Sequence, residues 1–133
     1  WQRKALTIQA EFFFASLKQD DGTQADLHGG YLQASTVLTG ERRSYRDSTH
    51  SMGRLSVAHP TLGGDGRGAW ELGARYSQTD LQDDWVDGGV MNNFTLGLTW
   101  HLSSDTRWMV NHIRTSSDAD RSGLLVIRLH SGF

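Results

Sequence analysis

The residues MNNFTLGLTWHLS (Met91–Ser103) alternate in character. Phe94, Leu96, Leu98, Trp100 and Leu102 fall on one side, and Thr95, Gly97, Thr99 and His101 on the other. A period of two belongs to a β-strand, because successive Cβ atoms point to opposite faces. A strand with one apolar and one polar face separates two environments. The preceding stretch GAWELGARYSQTDL (Gly68–Leu81) repeats the arrangement, with Trp70, Leu72, Ala74 and Tyr76 opposed to Glu71, Gly73, Arg75 and Ser77.

Working outward, the same period recurs along most of the chain. ALTIQAEFFFAS (Ala5–Ser16) sets Leu6, Ile8, Ala10, Phe12 and Phe14 against Thr7, Gln9, Glu11 and Phe13. LHGGYLQASTVLTG (Leu27–Gly40) reads as a strand with less distinct faces. TRWMVNHIRT (Thr106–Thr115) is more mixed, and LLVIRLHSGF (Leu124–Phe133) alternates again and stops on an aromatic residue. The expected strands are 5–16, 28–40, 68–81, 91–103, 106–115 and 124–133, about six antiparallel strands of roughly 10–13 residues each. KQDDGTQAD (Lys18–Asp26), QDDWVDGG (Gln82–Gly89) and SSDADRSG (Ser116–Gly123) read as loops, and Ser103–Asp105 as a tight turn. The stretch 41–67 holds the only Pro and five of the eleven Arg and reads as a long irregular connection.

These strands exceed the usual five or six residues of a soluble sheet. Ten residues at about 3.3 Å, tilted by about 40°, rise about 25 Å, the height of the apolar band of an outer-membrane barrel. The loops alternate between short and long, as in such barrels. Trp70, Tyr76, Trp100 and Trp108 sit where two interfacial aromatic girdles would lie. The fold class expected is therefore all-β, an antiparallel up-and-down transmembrane barrel. The first residue is Trp1 and alternation begins almost at once, so the chain reads as a fragment whose upstream strands are missing.

Composition excludes several classes. There is no Cys, hence no disulfide framework and no thiolate metal site. A net charge of −2 offers no bulk basic field for nucleic acid. No apolar run approaches the roughly 20 residues of a transmembrane helix. The six His show no metal-ligand spacing, and LGGDGRG (Leu62–Gly68) lacks the Lys-Ser/Thr ending of a phosphate loop. No catalytic arrangement and no cofactor are expected.

LTGERRSY (Leu38–Tyr45), GAWELGARYSQTDL (Gly68–Leu81), FTLGLTWHLS (Phe94–Ser103), TRWMVNHI (Thr106–Ile113) and RLHSGF (Arg128–Phe133), in this order, resemble the C-terminal portion of the phosphate-selective porin family. The resemblance spans essentially the whole chain. It implies six C-terminal strands of a roughly sixteen-stranded barrel in the bacterial outer membrane, trimeric at full length, conducting anions with a preference for phosphate or polyphosphate. It also implies that the final strand closes against the first, and that Phe133 is a signal read by the outer-membrane assembly machinery. With both ends in the periplasm, Ser103–Asp105 is a periplasmic turn and 41–67 a long periplasmic turn. That turn either folds toward the pore or lies as a surface connection. His112 departs from the resemblance, which would favour a lipid-facing aromatic there.

A phosphate channel needs positive charge along its wall without a trap. Arg suits this because its planar guanidinium donates paired hydrogen bonds to phosphate oxygens. The candidate wall residues are Arg75, Arg107, Arg128, His101, His130 and Asn111, with Thr95 and Thr99. A second candidate is the cluster Arg42, Arg43 and Arg46, facing the periplasmic mouth or the lumen, or forming an ordinary solvated charge run. Glu11 and Glu71 share the polar faces and would repel anions unless paired. Glu71 and Arg75 lie about 13 Å apart along one strand, so cross-strand partners are expected for each. Two other readings compete: a small soluble β-domain with a ligand or partner in its cup, and a nonspecific porin. The soluble reading requires Phe94, Leu96, Leu98 and Trp100 to point into a core, and the porin reading requires them to form an outward band.

Overall fold

The computed structural model describes residues 2–3, 5–41, 43–46, 51–83 and 85–132. Arg42 and Phe133 lie outside the described residues, as do the side chains of Arg43 and Arg46. The strands are β1 (Gln2–Arg3), β2 (Leu6–Lys18), β3 (Gln24–Val37), β4 (Arg43–Arg46), β5 (Ser51–Leu55), β6 (Ala69–Asp83), β7 (Val86–His101), β8 (Thr106–Ser117) and β9 (Arg121–Ser131). Six long strands and the short β1 form one antiparallel sheet in the order β1-β2-β3-β6-β7-β8-β9, and among the described residues β4 and β5 form a separate two-stranded ladder. Among the described residues this sheet is open, with β1 and β9 at its edges.

Every expected long strand is present, but most are longer than the alternation indicated. β6 runs on to Asp83 and β7 begins at Val86, so most of the expected loop Gln82–Gly89 is strand. Likewise β9 begins at Arg121 and β3 at Gln24, leaving connections at 118–120 and 19–23. The expected alternation of short and long loops is thereby lost: the turn at 102–105 is no shorter than its neighbours. The reason is physical. Hydrophobic alternation marks where a strand meets an apolar medium, whereas the backbone ladder continues through polar residues, as in Gln82↔Asp87 and Asp83↔Val86. A bulge at Gly88–Gly89 of β7, opposite Leu81, interrupts that ladder. Only Gly fits at position 88, since a Cβ there would stand 2.7 Å from the Leu81 carbonyl oxygen.

Register fixes the two faces. On one, Leu72, Leu98 and Val110 align across β6, β7 and β8, with Ile127 of β9 beyond them. On the other, Glu71 aligns with Thr99, and Arg107 with His130. The apolar face is open: Phe94 is 45% exposed, Leu96 46% and Ile127 62%. Trp100 is half-buried and stacks on Trp70, ring centroids 5.3 Å apart and planes within 8°. The core demanded by a soluble β-domain is therefore not formed by these residues. Tyr76 stands at mid-strand rather than near the end, because β6 is longer than expected, and its hydroxyl donates to Asn92 Oδ1 at 2.7 Å.

The buried apolar cluster is small and lies at one end: Val37, Leu55, Val57 and Ala69, with Ala5 against them. Val37 and Ala69 continue the face that carries Glu71 and His101. The connection 38–68 thus contributes Leu55 and Val57 to the polar face of the sheet at that end. It is held there by Thr61 and Leu62 amides donating to the Leu102 carbonyl at 2.8 and 3.2 Å, by Trp100 Nε1 donating to Arg67 O at 3.0 Å, and by Arg54 on Asp105. Where the sequence suggested an irregular connection, the chain forms a β4–β5 ladder followed by this fold-back.

Candidate functional site

The polar face holds a cleft of about 400 Å³ crossing from β2 to β8, so the sheet is curled around it. Two glycines in one ladder row, Gly73 and Gly97, form part of its floor. Asn111 completes that row and lies over Gly97, where an added Cβ would stand 2.5 Å from Asn111 Oδ1. The amide therefore rests on bare backbone, which positions it without a side-chain competitor.

The basic residues are spread over several rows. His101, Arg107 and His130 share the row nearest the 102–105 turn, on β7, β8 and β9. Arg128 lies one row away, opposite Met109. Arg75 lies in the row of Gln33 and Thr95, with the row of Gly73, Gly97 and Asn111 between it and Glu71. At about 6.6 Å per row, the cations extend over about 20 Å of wall. Such spacing distributes the cations along the polar face instead of gathering them in one cluster.

Each cation is held differently. The Arg75 guanidinium lies 3.9 Å from the centroid of the Tyr31 ring. A cation over an aromatic face is oriented at a gain of about 0.5–1 kcal/mol when exposed, and its charge is not neutralised. Tyr31 is itself fixed: Gln9 Nε2 donates to its hydroxyl at 2.9 Å, and Gln33 Nε2 donates to Gln9 Oε1 at 2.9 Å. Arg107 is half-buried, and its Nε has no hydrogen-bond partner among the described residues. Arg128 and His130 are exposed.

His101 and Glu71 are both buried, 3% and 8% exposed, with His101 Nε2 3.0 Å from Glu71 Oε2. Glu71 thus finds a cross-strand partner in His101. The pair sits beside the Leu55–Val57 fold-back, where a lone carboxylate would carry a large desolvation cost. Glu11 lies opposite Tyr31 across β2 and β3. Sequence reasoning missed Tyr31, and it placed Gly73 and Gly97 on the polar faces without giving them a role. Their signal was present, since all three occupy odd positions on the polar faces of their strands, but only register brings Tyr31 beneath Arg75.

On the apolar face, Trp70, Trp100 and Trp108 align in a single row across β6, β7 and β8. His112 lies on this face, opposite Leu96 and Leu125, which resolves the ambiguity of its strand.

The comparisons agree with this geometry. The family described as phosphate-selective porin O and P matches residues 1–124. An uncharacterized protein of Caulobacter vibrioides is 34% identical over 103 residues, covering 77% of this chain and 20% of that protein. Porin O of Pseudomonas aeruginosa is 24% identical over 129 residues, covering 89% of this chain and 28% of that protein. The chain thus spans between a fifth and a third of the length of these relatives. With a two-faced, long-stranded antiparallel sheet and a match over nearly its whole length, the chain belongs to the phosphate-selective porin O and P family.

Proposed function

We infer that these strands form part of the wall of an outer-membrane channel that passes anions by diffusion and prefers phosphate or polyphosphate. The observation that carries the reading is the opposition of the two faces. Arg75, Arg107 and Arg128 stand on one, and an exposed apolar surface of Phe94, Leu96, Leu98 and Ile127 on the other. Outside water such an apolar surface costs nothing, and a lipid bilayer is the medium that provides this. The row of Trp70, Trp100 and Trp108 then marks one membrane interface, with Tyr76 the last aromatic on β6 before the face turns polar.

An anion moving along the polar face meets guanidiniums in turn, each offering paired donors to phosphate oxygens. Arg75 remains mobile enough to release its ligand, because the Tyr31 ring orients it without competing for its hydrogen bonds. Glu71 is buried against His101, so its carboxylate is kept from direct contact with a passing anion. The 54–62 fold-back narrows the mouth at the Trp end of the channel. In the full-length protein, the open edges are occupied by the remaining strands of a closed barrel of about sixteen strands, and three copies assemble. Phe133 serves the assembly machinery.

The test is conductance of the purified full-length protein in planar bilayers. Phosphate added to a chloride solution should block the chloride current at concentrations where sulfate of equal ionic strength does not. A channel indifferent to phosphate is a general porin, and a protein that forms no channel refutes the reading.

A further inference from the structure

We propose that the apolar face carries a second anion site, which takes the phosphate group of an outer-leaflet lipid headgroup. It rests on the reading that this face meets lipid and that the 118–120 turn points outward.

The apolar character of the face fails at one place. Beyond Val110, β8 presents His112, Arg114 and Ser116 on the apolar side, and β9 presents Arg121 and Gly123 beside them. These residues line a hollow of about 400 Å³, separate from the polar-face cleft. Register explains the hollow. Arg114 pairs with Gly123, so the position across from the guanidinium has no side chain. A Cβ built on Gly123 would find nothing nearer than 4.0 Å, so the space is open.

His112, Arg114 and Arg121 are all exposed, and neither guanidinium has a hydrogen-bond or ion-pair partner among the described residues. The nearest carboxylates on the turn are engaged by backbone: Asp118 Oδ2 accepts from the Val90 amide at 3.0 Å, and Asp120 Oδ1 from the Arg121 amide at 2.6 Å. Two guanidiniums with no direct carboxylate contact on a membrane-facing surface are free to take up an anion at that depth. Arg114 lies three residues below the end of β8, about 8 Å beneath the strand end for a tilt of about 40°. That is headgroup depth. Phe94 stands level with Arg114, and below that row run Leu96, Leu125 and Ile127, an apolar track for the acyl chains of the same lipid. Cations above an apolar track match a lipid whose headgroup bears phosphate, since paired guanidinium donors fit phosphate oxygens.

The test uses the full-length protein in phosphatidylcholine nanodiscs, titrated with bisphosphorylated lipid A and with lipid A stripped of both phosphates. The wild type should bind the phosphorylated form at least tenfold more tightly. Arg114→Gln/Arg121→Gln should bring that affinity down to the level of the stripped form. Gly123→Leu, which fills the hollow and keeps both charges, should weaken binding comparably. All variants should retain wild-type chloride conductance, because none touches the polar face. Equal binding of the two lipids, or unchanged binding by both variants, would overturn the proposal while leaving the porin reading intact. Dissociation of the oligomer on losing the two arginines would also overturn it and assign the patch to contact between copies. If the wild type forms no channel, the porin reading itself fails.

Discussion

Leu55→Ala should detach the fold-back without melting the sheet. Leu55 is 2% exposed and packs with Val37, Val57 and Ala69. Truncation removes three carbons at about 0.8 kcal/mol each and leaves a cavity, while the small cluster relaxes around it, so the cost is about 2–3 kcal/mol. Because about 1.4 kcal/mol is a factor of ten, the detached population should rise by about 30- to 150-fold. The readout is amide hydrogen exchange in the full-length protein, followed at Thr61 and Leu62, whose amides bond the Leu102 carbonyl. These two should exchange faster by that factor. Amides of the β6–β7 ladder should be unchanged, since their bonds do not pass through Leu55. Single-channel chloride conductance should rise, because the fold-back would no longer narrow the mouth. Unchanged protection at Thr61 and Leu62 would refute the anchoring role. Simultaneous loss of protection in β6 and β7 would refute the independence of the segment from the sheet.

Other outcomes follow from single contacts. Arg75→Gln should weaken phosphate block of the chloride current about fivefold to tenfold, the loss of about 1–1.4 kcal/mol from one solvated charged hydrogen bond; block as strong as in wild type would remove Arg75 from the pathway. Gly68→Ala should cost more than about 2 kcal/mol and lower the refolding yield in detergent, because Gly68 has φ of 71° and a Cβ there would stand 2.3 Å from the His101 carbonyl oxygen; a variant as stable as wild type by urea titration would contradict that crowding. At the 19–23 turn, Thr23 holds the Asp21 carboxyl below its ordinary value, through its side chain first and its amide second. A depressed value means that the contribution is full above the unfolded-state value and is lost as pH falls through the folded one. Protection of the Thr23 amide should fall in that acid range, and Asp21→Asn should shift or abolish the transition; a Thr23 amide insensitive to both would dismiss the contact.

Much of the fold was legible because strand periodicity is local. Leu96 and Thr95 differ in face whatever they pair with, so the two faces of β6, β7 and β9 could be read from single stretches. The strand ends could not. Gln82 and Asp87 look like loop residues, and they pair only because the ladder above the apolar band needs no apolar side chains. The connection 38–68 was illegible for a different reason. Leu55 and Val57 show no long alternation, and their burial depends on Val37 and Ala69, which arrive from two other strands.

The candidate site divides in the same way. Arg75, Arg107, Arg128 and Asn111 were assigned to the polar face by parity alone, and the register keeps them there. Parity says nothing about which residues on that face meet. Tyr31 beneath Arg75, His101 against Glu71, and bare Gly97 beneath Asn111 each join residues from different strands. The sequence by itself determined the strands, their two faces and the family, since these depend on residue order along one strand or one motif. Only the tertiary structure decided the partners, the fold-back and the hollow at Gly123. Those depend on register between strands, which backbone hydrogen bonds set across tens of residues of chain.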